Sequence, residues 1–127
     1  MRRIAALLAL IAVGASLCFA GGPVNVNSSE AKALLARNRK VVLLDVRTPD
    51  EYRQAHLKGA LPIPLGELGK RVQEIPRDKP LLVYCAVGAR SVAASGFLAS
   101  KGYREIYNMS DGLVGWYKNG FPLERGR

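Results

Sequence analysis

Leu81-Leu82-Val83-Tyr84-Cys85-Ala86-Val87-Gly88-Ala89-Arg90-Ser91 runs from an unbroken apolar segment, through a thiol and a glycine-containing loop, to a helix start. Leu81 to Tyr84 show no polar alternation, which describes a strand covered on both faces, as in the middle of a parallel sheet. Arg90 to Lys101 follow as a helix with Val92, Phe97 and Leu98 available to the core, stopped by Gly102 as a left-handed C′ residue. A thiol at the carboxyl tip of such a strand meets the backbone N–H groups and the positive dipole end of the helix behind it. That field favours thiolate over thiol and makes the sulfur nucleophilic. Cysteine also serves as strand-end filler; the loop is what favours a reactive one.

A second run, Val41-Val42-Leu43-Leu44-Asp45-Val46, has the same buried-strand character. After it, Thr48-Pro49-Asp50-Glu51 has the form of a helix start, with Thr48 as cap, Pro49 in the first turn and Glu51 completing a capping box. Asn27 and Glu30 form a similar box before a helix carrying Ala31, Leu34 and Leu35. Val24-Asn25-Val26, Ala60 to Ile63 and Glu105-Ile106-Tyr107 are shorter strand candidates. Leu65 to Val72 can be helical, weakened by Gly66 and Gly69, and Leu113 to Asn119 form a last helix closed by Gly120. Trp116 and Tyr117 on that helix read as core. Strands alternate with helices throughout. This predicts a three-layer α/β domain over residues 21–127, with a mostly parallel sheet of about five strands and helices on both faces. Val41–Val46 and Leu81–Tyr84 should be central parallel neighbours.

The first 20 residues are of another kind. Arg2-Arg3 precede an almost wholly apolar Ile4–Leu17, and Cys18-Phe19-Ala20 lead into Gly21-Gly22. This predicts a secretory signal peptide cleaved after Ala20, and hence a periplasmic protein without a stable membrane anchor. The apolar stretch falls short of the about 20 residues a membrane span needs, and Leu17 is a poor neighbour for lipid modification of Cys18. Cleavage removes Arg2 and Arg3, lowering the net charge from +9 to +7, and leaves Cys85 as the lone cysteine. An unpaired thiol in an exported protein is a candidate reactive group. The cations are dispersed and not interleaved with aromatics, so they read as a solvated surface that attracts small anions. No nucleic-acid partner is expected.

Sites in open α/β sheets form outside the carboxyl ends of strands. Two such ends stand out, Asp45-Val46-Arg47 and the Cys85 loop. With Tyr52, His56-Leu57-Lys58-Gly59-Ala60 and Ile63-Pro64 after the first, and Cys85-x-x-Gly88-x-Arg90-Ser91 as the second, the chain resembles the single-domain rhodaneses, especially the small periplasmic type. Gly102-Tyr103, Asp111-Gly112 and Trp116 resemble the closing segment of that family. Ala55 stands where a glycine usually precedes the histidine, and Asp111 where a glycine pair is usual.

The resemblance implies sulfur transfer from a donor such as thiosulfate, through a persulfide on Cys85, to a small acceptor such as cyanide or a thiol, or to a protein acceptor. No cofactor and no metal is implied. Ala86, Val87, Gly88, Ala89, Arg90 and Ser91 would form a concave nest of N–H donors around the sulfur and an anionic donor. Within the nest, Gly88 is expected at positive φ. Arg90 either attracts the anion or braces the loop, and Ser91 either caps the helix or bonds the sulfur. Asp45, Arg47 and Glu51 are expected to brace the fold by charge pairing, with Arg47 also a candidate for binding the donor. His56, the sole histidine, is expected in a structural hydrogen bond. Two rivals remain. A phosphatase or arsenate reductase also has a cysteine loop ending in arginine, but with one more residue between them to fit a tetrahedral oxyanion. A partner-docked or non-catalytic sulfur-carrier module would keep the same residues without independent turnover.

Overall fold

A computed structural model describes residues 21–127. The signal-peptide expectation therefore lies outside the described residues. Chain order is β1 (Val24–Val26), α1 (Ser28–Arg37), β2 (Val42–Asp45), α2 (Pro49–Gln54), β3 (Leu61–Pro62), α3 (Leu68–Arg71), β4 (Leu81–Tyr84), α4 (Ala89–Ser100), β5 (Ile106–Met109) and α5 (Gly112–Lys118). Short 3-10 turns at Leu65–Glu67 and Val72–Glu74 flank α3. The single helix expected over 65–72 is thus broken into pieces, consistent with two glycines spaced along it.

The strands form one parallel sheet in the order β1-β5-β4-β2-β3. β2 and β4 are neighbours, pairing Val42 with Leu81 and Asp45 with Tyr84. Side chains alternate across the sheet. Leu44, Leu81, Val83 and Ile106 face a core shared with Leu68 of α3 and Ala94 and Leu98 of α4. Leu43, Leu82, Tyr84 and Met109 face another, shared with Ala31 of α1 and Trp116 of α5. Three layers result, as the two unbroken apolar runs require. Among the described residues no helix is long and apolar enough to cross a membrane.

The helix signals act as their chemistry demands. Asn27 with Glu30 and Thr48 with Glu51 each form a reciprocal capping box. α4 ends with Gly102 at φ +92°, its N–H donating to Ala99 and that of Tyr103 to Leu98, a pattern that satisfies the last carbonyls. Two inward faces differ from expectation. Val92 is exposed, and α4 turns Ser91, Ala94, Ser95 and Leu98 inward instead. That i, i+3, i+4, i+7 stripe admits small polar residues because serine volume fits against the sheet, and it places Val92 about 100° away. Tyr117 is also exposed, because its neighbour Trp116 takes the inward direction and donates its indole N–H to Pro122 O at 2.8 Å.

From β2 the chain moves outward to β3, and from β4 it moves the other way, to β5. The switch in direction opens a crevice at the carboxyl ends of β2 and β4.

Candidate active site

Cys85 follows β4 directly and is buried. Its Sγ accepts N–H groups from Gly88 at 3.1 Å and Ser91 at 3.3 Å. Gly88 is the N-cap of α4 and has no side chain with which to cap it. The sulfur fills that role, taking the N3 amide that a Ser or Asp oxygen ordinarily accepts. The thiol lies 3.5 Å from Ser91 Oγ, and the Ser91 hydroxyl donates to Gly88 O at 3.1 Å. Of the two roles expected for Ser91, contact with the sulfur is the one seen, through its amide and its hydroxyl; its side chain does not cap α4, whose N-cap is Gly88. Burial pushes the Cys85 thiol pKa up, but the Ser91 hydroxyl and the amides of Ser91, Gly88 and Val87 outweigh it. The net shift is downward.

The loop is held from behind by α5. Leu113 N–H donates to Cys85 O at 2.9 Å and Val114 N–H to Ala86 O at 3.1 Å. Two glycines make this fit possible. Gly88 has φ +105°, and a Cβ there would lie 2.4 Å from Ser110 O. Gly112 has φ +63°, and a Cβ there would lie 2.2 Å from Ala86 O. Both positions combine a left-handed backbone with a close backbone approach, which only glycine accommodates without strain. Positive φ at Gly88 was legible in the sequence. The Ser110 and Gly112 contacts were not, since nothing local marks where a distant segment will close on the loop.

Arg90 braces the loop. Its guanidinium grips Glu51 with two parallel bonds, Nη1 to Oε1 at 2.7 Å and Nη2 to Oε2 at 2.9 Å. Glu51 belongs to α2 and Arg90 to α4, so the pair spans the crevice between β2 and β4. Glu51 also completes the cap at Thr48, accepting its N–H and its hydroxyl at 3.0 Å. The Arg90 bonds are the main reason its carboxyl falls to about 2, with burial opposing and Thr48 assisting. The positive charge of Arg90 also interacts with the Cys85 sulfur.

Arg47 is placed differently. It is buried, with Nε and Nη2 on Asp45 at 3.0 and 2.7 Å, Nη2 on Ala55 O at 2.6 Å and Nη1 on Glu51 O at 3.4 Å. Those bonds tie the end of β2 to the carbonyls of Glu51 within α2 and of Ala55 at its C-cap. The charge pairing expected of Asp45, Arg47 and Glu51 is present, as Asp45–Arg47 and Glu51–Arg90. His56 is buried, stacked on Tyr52 at 3.7 Å, with Nδ1 2.8 Å from Tyr52 O and its backbone bridged to Glu124. It supports α2 and the C-terminal segment, not the sulfur. Ala86 is half-buried, and Val87 and Ala89 are exposed at the rim.

A Rhodanese-like domain model matches residues 27–119, most of the chain, from α1 to the end of α5 and including four of the five strands. The chain belongs to the rhodanese-like family. It is similar to a sulfurtransferase of Allochromatium vinosum, 35% identical over 98 residues that cover 77% of this chain and 92% of that one. It also resembles thiosulfate sulfurtransferase GlpE of Coxiella burnetii, 32% identical over 82 residues, 65% of this chain and 77% of that one. Among solved structures, a rhodanese-related protein from Thermoplasma volcanium superposes with a TM-score of 0.72 at 31% identity, covering 80% of this chain and 97% of that one. The rhodanese fold accounts for the crevice and for the cysteine loop at its mouth.

Proposed function

We propose that this rhodanese is a sulfurtransferase that carries sulfane sulfur from thiosulfate, or a similar donor, to cyanide or a thiol through a persulfide on Cys85. The observation that carries this reading is the buried Sγ sitting at the N-cap of α4 with Gly88 and Ser91 amides on it. Sulfurtransferase relatives support the reaction class, and the GlpE relative supports thiosulfate as donor.

In the first step the Cys85 thiolate attacks the outer sulfur of thiosulfate, the S–S bond of the donor breaks, and sulfite leaves with the bonding pair. Cys85 then carries a persulfide whose charge the loop amides stabilise. In the second step cyanide attacks the outer sulfur, thiocyanate departs, and the thiolate is regenerated. No oxidant is needed, since sulfur passes with its oxidation level intact. Four residues stand between Cys85 and Arg90, and Arg90 is turned to Glu51. A loop this tight, with its arginine engaged elsewhere, suits one sulfur atom better than a tetrahedral phosphate.

The test is thiosulfate-to-cyanide transfer by purified protein, followed as thiocyanate, without any added partner. Turnover supports an enzyme, whereas loading of Cys85 without turnover would indicate a carrier module. The same proposal places the protein in the periplasm, with residues 1–20 removed as a signal peptide. N-terminal sequencing of material from the cell envelope should begin at Gly21, and a chain beginning at Met1 there would refute cleavage.

A further inference from the structure

The large apolar side chains strongly exposed among the described residues are Val87 (64%), Val92 (58%), Val114 (42%) and Tyr117 (69%). They are not scattered. Val87 lies in the Cys85 loop, Val92 on the first turns of the helix that starts from it, and Val114 and Tyr117 on α5. Val114 is joined to the loop directly, through its N–H bond to Ala86 O at 3.1 Å. Beside Val114 runs a groove of about 460 Å³ whose walls include Leu113, Tyr117 and Leu123. Its charged lining residues are Lys118 and Arg125, and no acidic residue lines it. An apolar collar of this kind, joined to the loop of a reactive group, marks an interaction site.

Cyanide or sulfite needs none of this surface, because the reacting sulfur sits inside the loop. A macromolecular acceptor does, since its thiol must be delivered to the loop while its own surface is covered. A second copy of the chain is a poor occupant, for each copy carries a net charge of +9, or +7 without Arg2 and Arg3. Resting on the persulfide reading above, we propose that the physiological acceptor is a protein whose thiol lies in a segment with apolar and acidic residues. That segment seats on the Val87–Val114–Tyr117 collar with its acids toward Lys118 and Arg125. The acceptor thiolate attacks the outer sulfur of the Cys85 persulfide, the S–S bond at Cys85 breaks, and Cys85 leaves as thiolate while the acceptor keeps the sulfur.

The test begins by loading the protein with thiosulfate, removing excess donor and verifying the added sulfur by intact mass. Two short synthetic peptides then serve as acceptors, each with one cysteine beside Leu and Phe. One has Asp and Glu flanks, the other Lys and Arg flanks, and rates are compared per thiolate. The acidic peptide should take sulfur about tenfold faster at low salt, with the advantage shrinking as salt rises. Tyr117→Ser combined with Lys118→Glu should cut transfer to that peptide about tenfold and leave thiocyanate formation from cyanide unchanged. Equal rates for the two peptides, or an unchanged acidic-peptide rate in the double variant, would overturn the proposal. So would a wild-type dimer in sedimentation that the double variant dissociates, which would assign the collar to a second copy. Failure to load sulfur at all would instead remove the persulfide reading, and this proposal with it.

Discussion

At Cys85 the chemistry depends on the amides of Val87, Gly88 and Ser91 and on the Ser91 hydroxyl, held by the loop and the start of α4. Ser91→Ala removes the hydroxyl but keeps the N–H, so the thiol should titrate at higher pH than in the wild type while the protein stays folded. The pH profile of iodoacetamide alkylation reads this directly; an unchanged midpoint would show that the hydroxyl does not stabilise the thiolate. Gly88→Ala is harsher. It forces alanine to φ +105° against Ser110 O, and should cost about 2 kcal/mol or more in denaturant unfolding along with most of the transfer activity. Glu51 supplies a pH dependence of a different kind. Its folded pKa, lowered to about 2 from 4.5, means the Arg90 pair stabilises above the unfolded value and is lost as pH falls through the folded one. Unfolding free energy should drop between about pH 4.5 and pH 2 by ~1 kcal/mol, after allowing for solvent screening of a partly exposed pair. Glu51→Gln should flatten that drop; an identical acid profile in the variant would remove the pair from the account.

Among the elements, α4 does most to position the site, and its register can be tested by comparing two apolar residues. Leu98 is fully buried against the sheet, and Leu98→Ala should destabilise by about 3 kcal/mol. Val92→Ala, on the outer face, should change stability by less than about 0.5 kcal/mol. Reversal of the two would mean the helix is rotated from the orientation described. The helix itself was legible in the sequence because its stop, Gly102, is a strong local signal. Its inward face was not, because hydrophobicity alone points to Val92 and overlooks Ser91 and Ser95, which are small enough to pack. Tyr117 follows the same logic, since adjacent helix residues cannot both face the sheet. The capping boxes at Asn27 and Thr48 were readable because both partners lie within one turn. The Glu51–Arg90 clamp was only half readable: its charges were visible, but the partners are separated by 39 residues.

For the whole molecule, two unbroken apolar runs were enough to predict a parallel α/β sheet with those runs side by side, because only strands covered on both faces tolerate such composition. Sheet order then places the Cys85 loop and α2 on opposite sides of the crevice, a relation that local patterns do not encode. The resulting machine is simple: a rigid sheet, a loop locked by glycines at Gly88 and Gly112, and one sulfur set at a helix cap. Its central claim is that Cys85 alone takes up and passes on sulfur. Intact-mass spectrometry after incubation with thiosulfate, and again after cyanide, tests this most directly in wild type and in Cys85→Ser. The wild type should gain the mass of one sulfur and lose it to cyanide with release of thiocyanate, while the nearly isosteric variant should remain folded and never gain it. A wild type that takes up no sulfur, or a Cys85→Ser protein that still makes thiocyanate, would contradict the account.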